Sequence, residues 1–471
     1  MSEKLRRAAG VAATALIGFL PFLFLFIWHG RVASSYDAGA YYGRVLPWLI
    51  ACVLVVLAFT AWKRTGLRGK LLLWIPAWLL CFGVAAQAVW MRYWVMYVEA
   101  HPQLQEKHTN PASRQGTTIV LVSLLLGLLA ACCLAYLNQK KVLNLQHRPK
   151  ILLLFIGVSM LGAWLPAFLP AGLEKYKVLY EINKITFVMG LSILLTWPIF
   201  DRDERLGKLS LAINRLFGKI PVLRLLSGEE GENGNDPLKL VCCTLYTAWF
   251  ALPLLMMGET EFGSMIIMGI TFLVMILTYL ESAKKVALVS AVVLPLLGLG
   301  AFLIARGKIA RRFDIWWNFK AQGADNQQYL SMRAVLLGGW FGSDRRYFSY
   351  IPVGDSDMIG AVSIQCFGLL LGGILLMALC LVFIWLGFRA ALGEKDHLQR
   401  GMAFGFSTTI GVQSLLMWAG NLVLLPLSGN TQPFMSSGGG ALMSMFFMAC
   451  ILYLLNRRAH QQETAAWGEI T

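Results

Sequence analysis

Ser349–Phe367 reads SYIPVGDSDMIGAVSIQCF. Its first half is polar and closes a long hydrophilic stretch. Its second half opens an apolar run that continues to residue 388. Asp357 stands at the changeover, where water meets membrane. A carboxylate placed there is solvated enough to stay ionised and close enough to a bilayer to reach a substrate held by a lipid anchor. Acids at a membrane edge are costly and mark function by default. The competing reading is structural. Asp is a favoured N-cap, and Asp357, Asp355 or Ser356 could each cap a helix starting near Met358.

The run beyond Asp357 is one of many. Of 471 residues, 57% are hydrophobic and 14% are charged, against about 25% charged in soluble domains. Runs of about 20 apolar residues, enough to cross a bilayer, recur at roughly 8–28, 46–62, 71–97, 117–137, 151–172, 180–200, 239–257, 262–281, 285–305, 357–388, 402–425 and 434–456. The expected fold is therefore all-α: a polytopic transmembrane helical bundle of about twelve spans, with a large external loop, residues 306–356, before Asp357. Strict apolar alternation is absent, which argues against a membrane barrel.

The net charge of +16 suggests nucleic acid until its placement is considered. Lys and Arg flank the apolar spans. With both termini cytoplasmic, about 25 of the 41 fall in inner loops, as the positive-inside rule requires. The basic balance points to topology and anionic lipid headgroups, with no nucleic-acid partner. The nine cysteines lie within apolar spans, so neither a structural disulfide nor a loop-borne zinc site is expected.

Other polar features punctuate the spans. Glu181 and Lys184 share a helix face in YEINKITFVMG. They read either as an ion pair bracing helices or as part of a polar site near the outer surface. Glu259 and Glu261 flank Thr260 in a turn; they either cap the next helix or offer oxygen ligands to a divalent cation. Within the internal loop 201–238, LGKLSLAINRLFGKIPVLRLL is amphipathic. It suits the inner leaflet or a linker packed on neighbouring loops. The external loop begins RGKIARRFDIWWNFK, where cations alternate with Trp316, Trp317 and Phe319; these suit lipid phosphates and the interfacial aromatic belt, or a plain solvated surface. LSGNTQPFMSSGGGALM, before the last span, reads as a re-entrant or tight loop, whose successive glycines permit close approach and unusual dihedrals.

Taken in order, these pieces resemble the SEDS family, the RodA and FtsW type of peptidoglycan polymerase, from about Gly162 to the last span. The family's QPSELAK appears as VLYEINK (178–184), keeping Glu181 and Lys184, and its QPDLGT as ETEFGS (259–264). S-x-x-A-x-x-x-GG-x-FG is matched by SMRAVLLGGWFG (331–342). LPEAHTDFIF resembles IPVGDSDMIG (351–360), which places the family's catalytic aspartate at Asp357. Gln413 and LPLSGNTQPFMSSGGGA (425–441) resemble the family's Q-x-x-x-N and LP-x-TG-x-x-LPF-x-SYGGSS. The departures are Asp355 for the family's His, QCFG (365–368) for EELG, Met417 for Asn and Ser437 for Tyr. Twelve spans exceed the usual ten. Residues 1–150 are thus expected to carry N-terminal spans, two of them extra, and 151–471 to form the SEDS-like core.

The resemblance implies an enzyme that polymerises lipid II at the outer face of the bacterial cytoplasmic membrane. The growing undecaprenyl-pyrophosphate-linked glycan would be the donor. Asp357 would be the general base for the attacking hydroxyl. Glu181, Lys184, Gln413, Ser436, Gly438, Gly439, Arg345 and Arg346 would bind substrate, and a divalent cation, Mg or Mn, would be held by Asp355 and Asp357. If the segment is extended, however, these two side chains point to opposite sides. A class B penicillin-binding protein is the implied partner. A non-catalytic lipid-linked-sugar transporter or scaffold on the same fold, or an O-antigen polymerase or ligase, stay open as alternatives.

Overall fold

Within a bilayer no water is available to satisfy backbone N–H and C=O groups, so long apolar runs close their hydrogen bonds internally as helices. The computed structural model describes residues 67–100, 149–168, 178–196, 204–219, 236–256, 262–280, 309–323, 326–343 and 350–468, with isolated positions at 50, 291, 295, 306 and 307. The spans expected at 8–28, 46–62, 117–137 and 285–305 lie outside these residues, apart from such isolated positions. Glu259, Glu261, Arg345 and Arg346 also lie outside them.

The described elements are helices: α1 (Leu67–Ala100), α2 (Pro149–Phe168), α3 (Val178–Thr196), α4 (Glu204–Lys219), α5 (Asp236–Met256), α6 (Phe262–Leu280), α7 (Phe319–Gln322), α8 (Gln327–Gly338), α9 (Ile359–Gly368), α10 (Leu376–Leu392), α11 (His397–Asn421) and α12 (Gly439–Gly468). A π-helical turn, Leu369–Leu375, joins α9 to α10. Among the described residues, four segments are long and apolar enough to cross a membrane: Gly69–Met91, Leu179–Thr196, Ile359–Leu392 and Gly439–Asn456. Three shorter apolar helices accompany them, Ile151–Pro166, Leu238–Leu254 and Gly263–Tyr279. The protein is membrane-embedded and all-helical in its described part. None of the six described cysteines is in a disulfide.

The described residues fall into two compact units. One draws on Met1–Cys132, Arg312–Leu386 and Gln413–Thr471, the other on Cys133–Arg311 and Gly387–Val412. The second unit is built of regular helices that pack through small residues. A Cβ at Gly190 of α3 would collide with the Tyr246 hydroxyl, and one at Gly405 of α11 with Val188. The Phe187, Tyr246 and Phe250 rings fill the space between α3 and α5, with centroids 4.8–5.9 Å apart. On α2, Ser159, Leu152 and Ala163 are buried, while Leu154, Val158 and Leu161 face out. Such an apolar outer face suits lipid and costs nothing there. The amphipathic piece of the 201–238 loop is α4. It packs on α5, with Ser210 buried and Leu209, Leu211 and Leu216 exposed.

The first unit is less regular. The stretch expected as a loop, residues 306–356, is helical over 309–317, α7 and α8. Asn326 caps α8 by accepting from the Gln328 amide at 2.7 Å. Its buried side is Gln328, Ser331, Ala334 and Gly338; the last three are the small positions of the S-x-x-A-x-x-x-G pattern, and they let α8 lie close against α9. A Cβ at Gly338 would strike the Ile364 carbonyl. Beyond it, the GGWFG turn (338–342) docks on the π-turn. Leu369 N donates to Gly339 O at 2.8 Å, Leu370 N to Trp340 O at 3.3 Å, and Ser343 N to Gln365 O at 2.9 Å. Gly339, Gly342 and Gly368 take positive φ values of 51°, 100° and 78°, which glycine alone adopts without strain. The turn thus supplies carbonyl partners to two amides at the helix's break. All ten residues of α9 are buried, whereas Leu370, Leu371, Ile374 and Leu375 are exposed.

Candidate functional site: a carboxylate turn held by neighbouring segments

Pro352–Met358 is a tight turn and not an extended segment. Val353 sets it, at φ 50°. That conformation strains a β-branched residue, since Cβ crowds the backbone. The Val353 carbonyl then accepts from Ser356 N at 3.2 Å and Met358 N at 3.1 Å. The expectation that Asp355 and Asp357 point to opposite sides rested on extended geometry, so it loses its basis.

Three consecutive carbonyls of this turn are taken by protein donors. Asp355 O accepts from Ser437 N at 2.9 Å. Ser356 O accepts from Ser436 Oγ at 2.8 Å. Asp357 O accepts from Asn421 Nδ2 at 2.8 Å. Asn421, 1% exposed, also accepts from Ala361 N through Oδ1 at 2.9 Å. It therefore satisfies an otherwise orphan amide in the first turn of α9. The N-cap position belongs to Met358, whose side chain makes no cap. The capping service that sequence assigned to Asp357, Asp355 or Ser356 comes instead from the end of α11.

α1 supports the same turn from one face, with Gly83, Gln87 and Trp90 spaced by four and three residues. Trp90 Nε1 donates to Ile351 O at 2.7 Å, and Gln87 Nε2 donates to Met435 O at 2.7 Å. A Cβ at Gly83 would run into the Met435 carbonyl, and one at Gly354 into the Trp90 indole. The later part of the loop after α11 is buried, as irregular backbone at membrane depth must be: Asn430, Gln432, Phe434 and Ser436 are all below a tenth exposed. Phe434 sits at φ 66°, held by edge contacts with Phe383 and Phe446, each at 5.3 Å. Val423, at φ 59°, has its carbonyl held by Trp316 Nε1 at 2.9 Å. Among the described residues, the non-glycine positions with positive φ are these two and Val353. All three fall in or beside the segments that build this turn.

The expected site residues distribute as follows. Asp357, Asp355 and Ser436 come together in the turn and its clasp. Gln413 is tied to the same loop, donating to Thr431 O at 3.0 Å and Thr431 Oγ1 at 3.2 Å. Ser436 also accepts from Gln432 N at 2.8 Å, so its hydroxyl is committed to backbone on both sides. Gly438 meets only ordinary contacts, and none of Gly438, Gly439 and Gly440 has a positive φ. The unusual dihedrals expected of that glycine run lie instead at Gly429 and Phe434, because Gly439 already starts α12. Asp355 Oδ2 accepts from Ser437 Oγ at 2.7 Å. Burial pushes its carboxyl above the ordinary value, and the Ser437 bond opposes that shift. Glu181 and Lys184 form an ion pair at 2.8 Å, with Lys184 only 2% exposed. They belong to the second unit and Asp357 to the first.

Sequence reasoning missed Asn421, Gln87 and Trp90. A signal existed for two of them: Gln87 and Asn421 are amides inside or at the end of apolar spans, where polar groups need a reason. For a divalent cation, the described residues contain no group of three or more His, Cys, Asp or Glu able to hold one. Asp355 has one oxygen engaged, Oδ2, which accepts from Ser437 Oγ.

Bilayer-crossing helices around a polar turn of irregular, buried backbone define a polytopic membrane protein with a carboxylate site. Comparison with known proteins then gives the family. The model of the FtsW/RodA/SpoVE cell cycle proteins matches residues 222–461, half of the chain, and the protein belongs to that family. The chain is 27% identical over 219 residues to the peptidoglycan glycosyltransferase RodA of Mycobacterium leprae, covering 46% of each chain. It is 28% identical over 214 residues to stage V sporulation protein E of Bacillus subtilis, covering 44% of this chain and 58% of that one. It spans about half the length of the curated relatives it matches. The fold is also similar to a solved chain from a peptidoglycan synthase complex that coordinates polymerization and crosslinking. That match has a TM-score of 0.54 and 16% identity, over 83% of this chain and 98% of that one.

Proposed function

We propose that this protein is a peptidoglycan glycosyltransferase that polymerises lipid II at the outer face of the bacterial cytoplasmic membrane, with both termini and the 201–238 loop cytoplasmic. The reading rests on the family and on relatives named as peptidoglycan glycosyltransferases. The observation that carries it to a residue is the clasp on three successive carbonyls, at Asp355, Ser356 and Asp357. A general base must be held in place before it acts, and here the carbonyls of Asp357 and of the two residues before it are each held by a protein donor.

In this mechanism the 4-hydroxyl of the incoming lipid-linked sugar attacks the anomeric carbon of the growing glycan. The new glycosidic C–O bond forms as the bond to undecaprenyl pyrophosphate breaks. Asp357 takes the hydroxyl proton, and the pyrophosphate leaves with the electron pair. Arg345 and Arg346 are the proposed cationic partners of the phosphates. A divalent cation bound at Asp357 and the substrate phosphates would add charge neutralisation for the leaving group. A class B penicillin-binding protein is the proposed partner, in keeping with the synthase complex that supplies the similar fold.

The test is polymerisation of lipid II by purified full-length protein, with and without divalent metal, beside Asp357→Asn. Glycan chains from the parent and none from the variant are expected. A parent protein that binds lipid II without joining it would transfer the reading to a lipid-linked-sugar transporter or scaffold.

A further inference from the structure

The side of α8 turned away from α9 changes character along its length. It begins polar at exposed Gln327, carries an exposed Arg333, and ends apolar at Leu336, Trp340 and Phe341. Leu336 is 73% exposed, Trp340 60% and Phe341 82%. Three such residues at one uncharged tip would be costly against water.

The direction of this gradient is fixed by contacts. Near its start, α8 meets the end of α11: Gln328 Nε2 donates to Leu425 O at 2.9 Å and Ser331 Oγ to Asn421 O at 2.6 Å. Asn421 also marks the Asp357 end of α9. Farther along, Gly338 lies against Ile364 and Gly342 against Cys366. The helix therefore runs beside α9 from its Asp357 end toward the π-turn. The tip is bonded at the level of Leu369 and Leu370, where the membrane-crossing segment first exposes apolar side chains. Trp340 and Phe341 thus continue the surface formed by Leu370, Leu371 and Ile374.

We propose that the Gly338–Gly342 tip is a membrane-inserted wedge: Trp340 and Phe341 contact lipid in the leaflet at the Asp357 end. Trp is favoured at that boundary because its ring is amphipathic. Arg333 lies five residues back, about 7–8 Å along the helix at 1.5 Å per residue. That is the height at which its guanidinium meets lipid phosphate. The glycines serve this placement, since they let an uncharged turn reach the helix backbone and leave the two aromatic rings outside. The assignment is independent of whether Asp357 is catalytic.

The test places a photoreactive benzophenone amino acid at position 341 or, as the contrast, at exposed Gln327. Full-length protein in phosphatidylglycerol and phosphatidylethanolamine vesicles is irradiated and analysed by mass spectrometry. The expected result is lipid adducts at 341 and none above the unirradiated control at 327, with equal melting temperatures. Trp340→Ser with Phe341→Ser should leave the fold intact and weaken adduct formation from a probe at 336. Water quenching at 341, equal lipid adducts at both sites, or an adduct to another protein chain in native membranes in place of lipid would each overturn the proposal.

Discussion

The two units of this molecule handle buried polarity in opposite ways. In the second, the acid Glu181 and the base Lys184 neutralise one another on a regular helix, and the glycines of α3 and α11 serve helix packing. In the first, a carboxylate-bearing turn is held by its backbone. Val353, Val423 and Phe434 are strained, and Ser436, Ser437, Asn421, Gln87 and Trp90 direct their donors at carbonyl oxygens. Strain of this kind costs on the order of 1–3 kcal/mol per residue and persists where surrounding structure enforces it. The contrast separates a charge pair on a regular helix from a turn held through its backbone carbonyls.

Four substitutions test that contrast. The largest effect belongs to the pair. Lys184→Ala leaves Glu181 without its ion-pair partner and should cost about 3–5 kcal/mol of stability, read as a lower melting temperature in detergent. Exchanging the two charges together should restore much of it. Full recovery of polymerisation in the exchanged protein would remove Lys184 from phosphate binding. Next, Asp357→Asn should melt like the parent yet polymerise lipid II about a hundredfold more slowly, roughly 2.7 kcal/mol of barrier. A parent-like rate would deny Asp357 its role as base.

Asn421→Ala comes third. It strips the partner from Ala361 N and Asp357 O at once, and one unsatisfied buried group costs about 1–3 kcal/mol. The loss should appear in melting and in rate together, which would distinguish a residue that holds the turn from one that touches substrate. The smallest effect is at Asp355. Burial raises its folded carboxyl above the unfolded value, so the folded state binds the proton more tightly. Stability from this group is therefore present at low pH and declines as pH rises from about 4. Asp355→Asn keeps an acceptor for Ser437 and removes that decline. Its melting temperature should exceed the parent's at pH 7, and the difference should vanish toward pH 4. An unchanged pH profile would show that the carboxyl is solvated.

What could be read from sequence was whatever hydropathy and charge spacing encode. The spans around 71–97, 180–200, 239–257 and 262–281 match α1, α3, α5 and α6 closely, because apolar length alone specifies a helix in lipid. The Glu181–Lys184 pair was legible from its i, i+3 spacing. The capping of α9 was not, since its oxygen comes from Asn421, 60 residues away from Ala361. Nor was the turn at Val353, where a residue that favours strands takes a left-handed conformation under tertiary constraint. The partner of the GGWFG glycines was not legible either; it is the backbone of Ile364–Leu370.

One further consequence lies in the ten buried residues of α9. They separate the carboxylate turn from the first exposed apolar side chains by about 15 Å at 1.5 Å per residue. The helix is a ruler. With its far end pinned at Gly338–Gly342 and its near end at Asn421, the distance from Asp357 to the π-turn is set by the chain. Inserting one helical turn into α9 would lengthen that distance by about 5.4 Å.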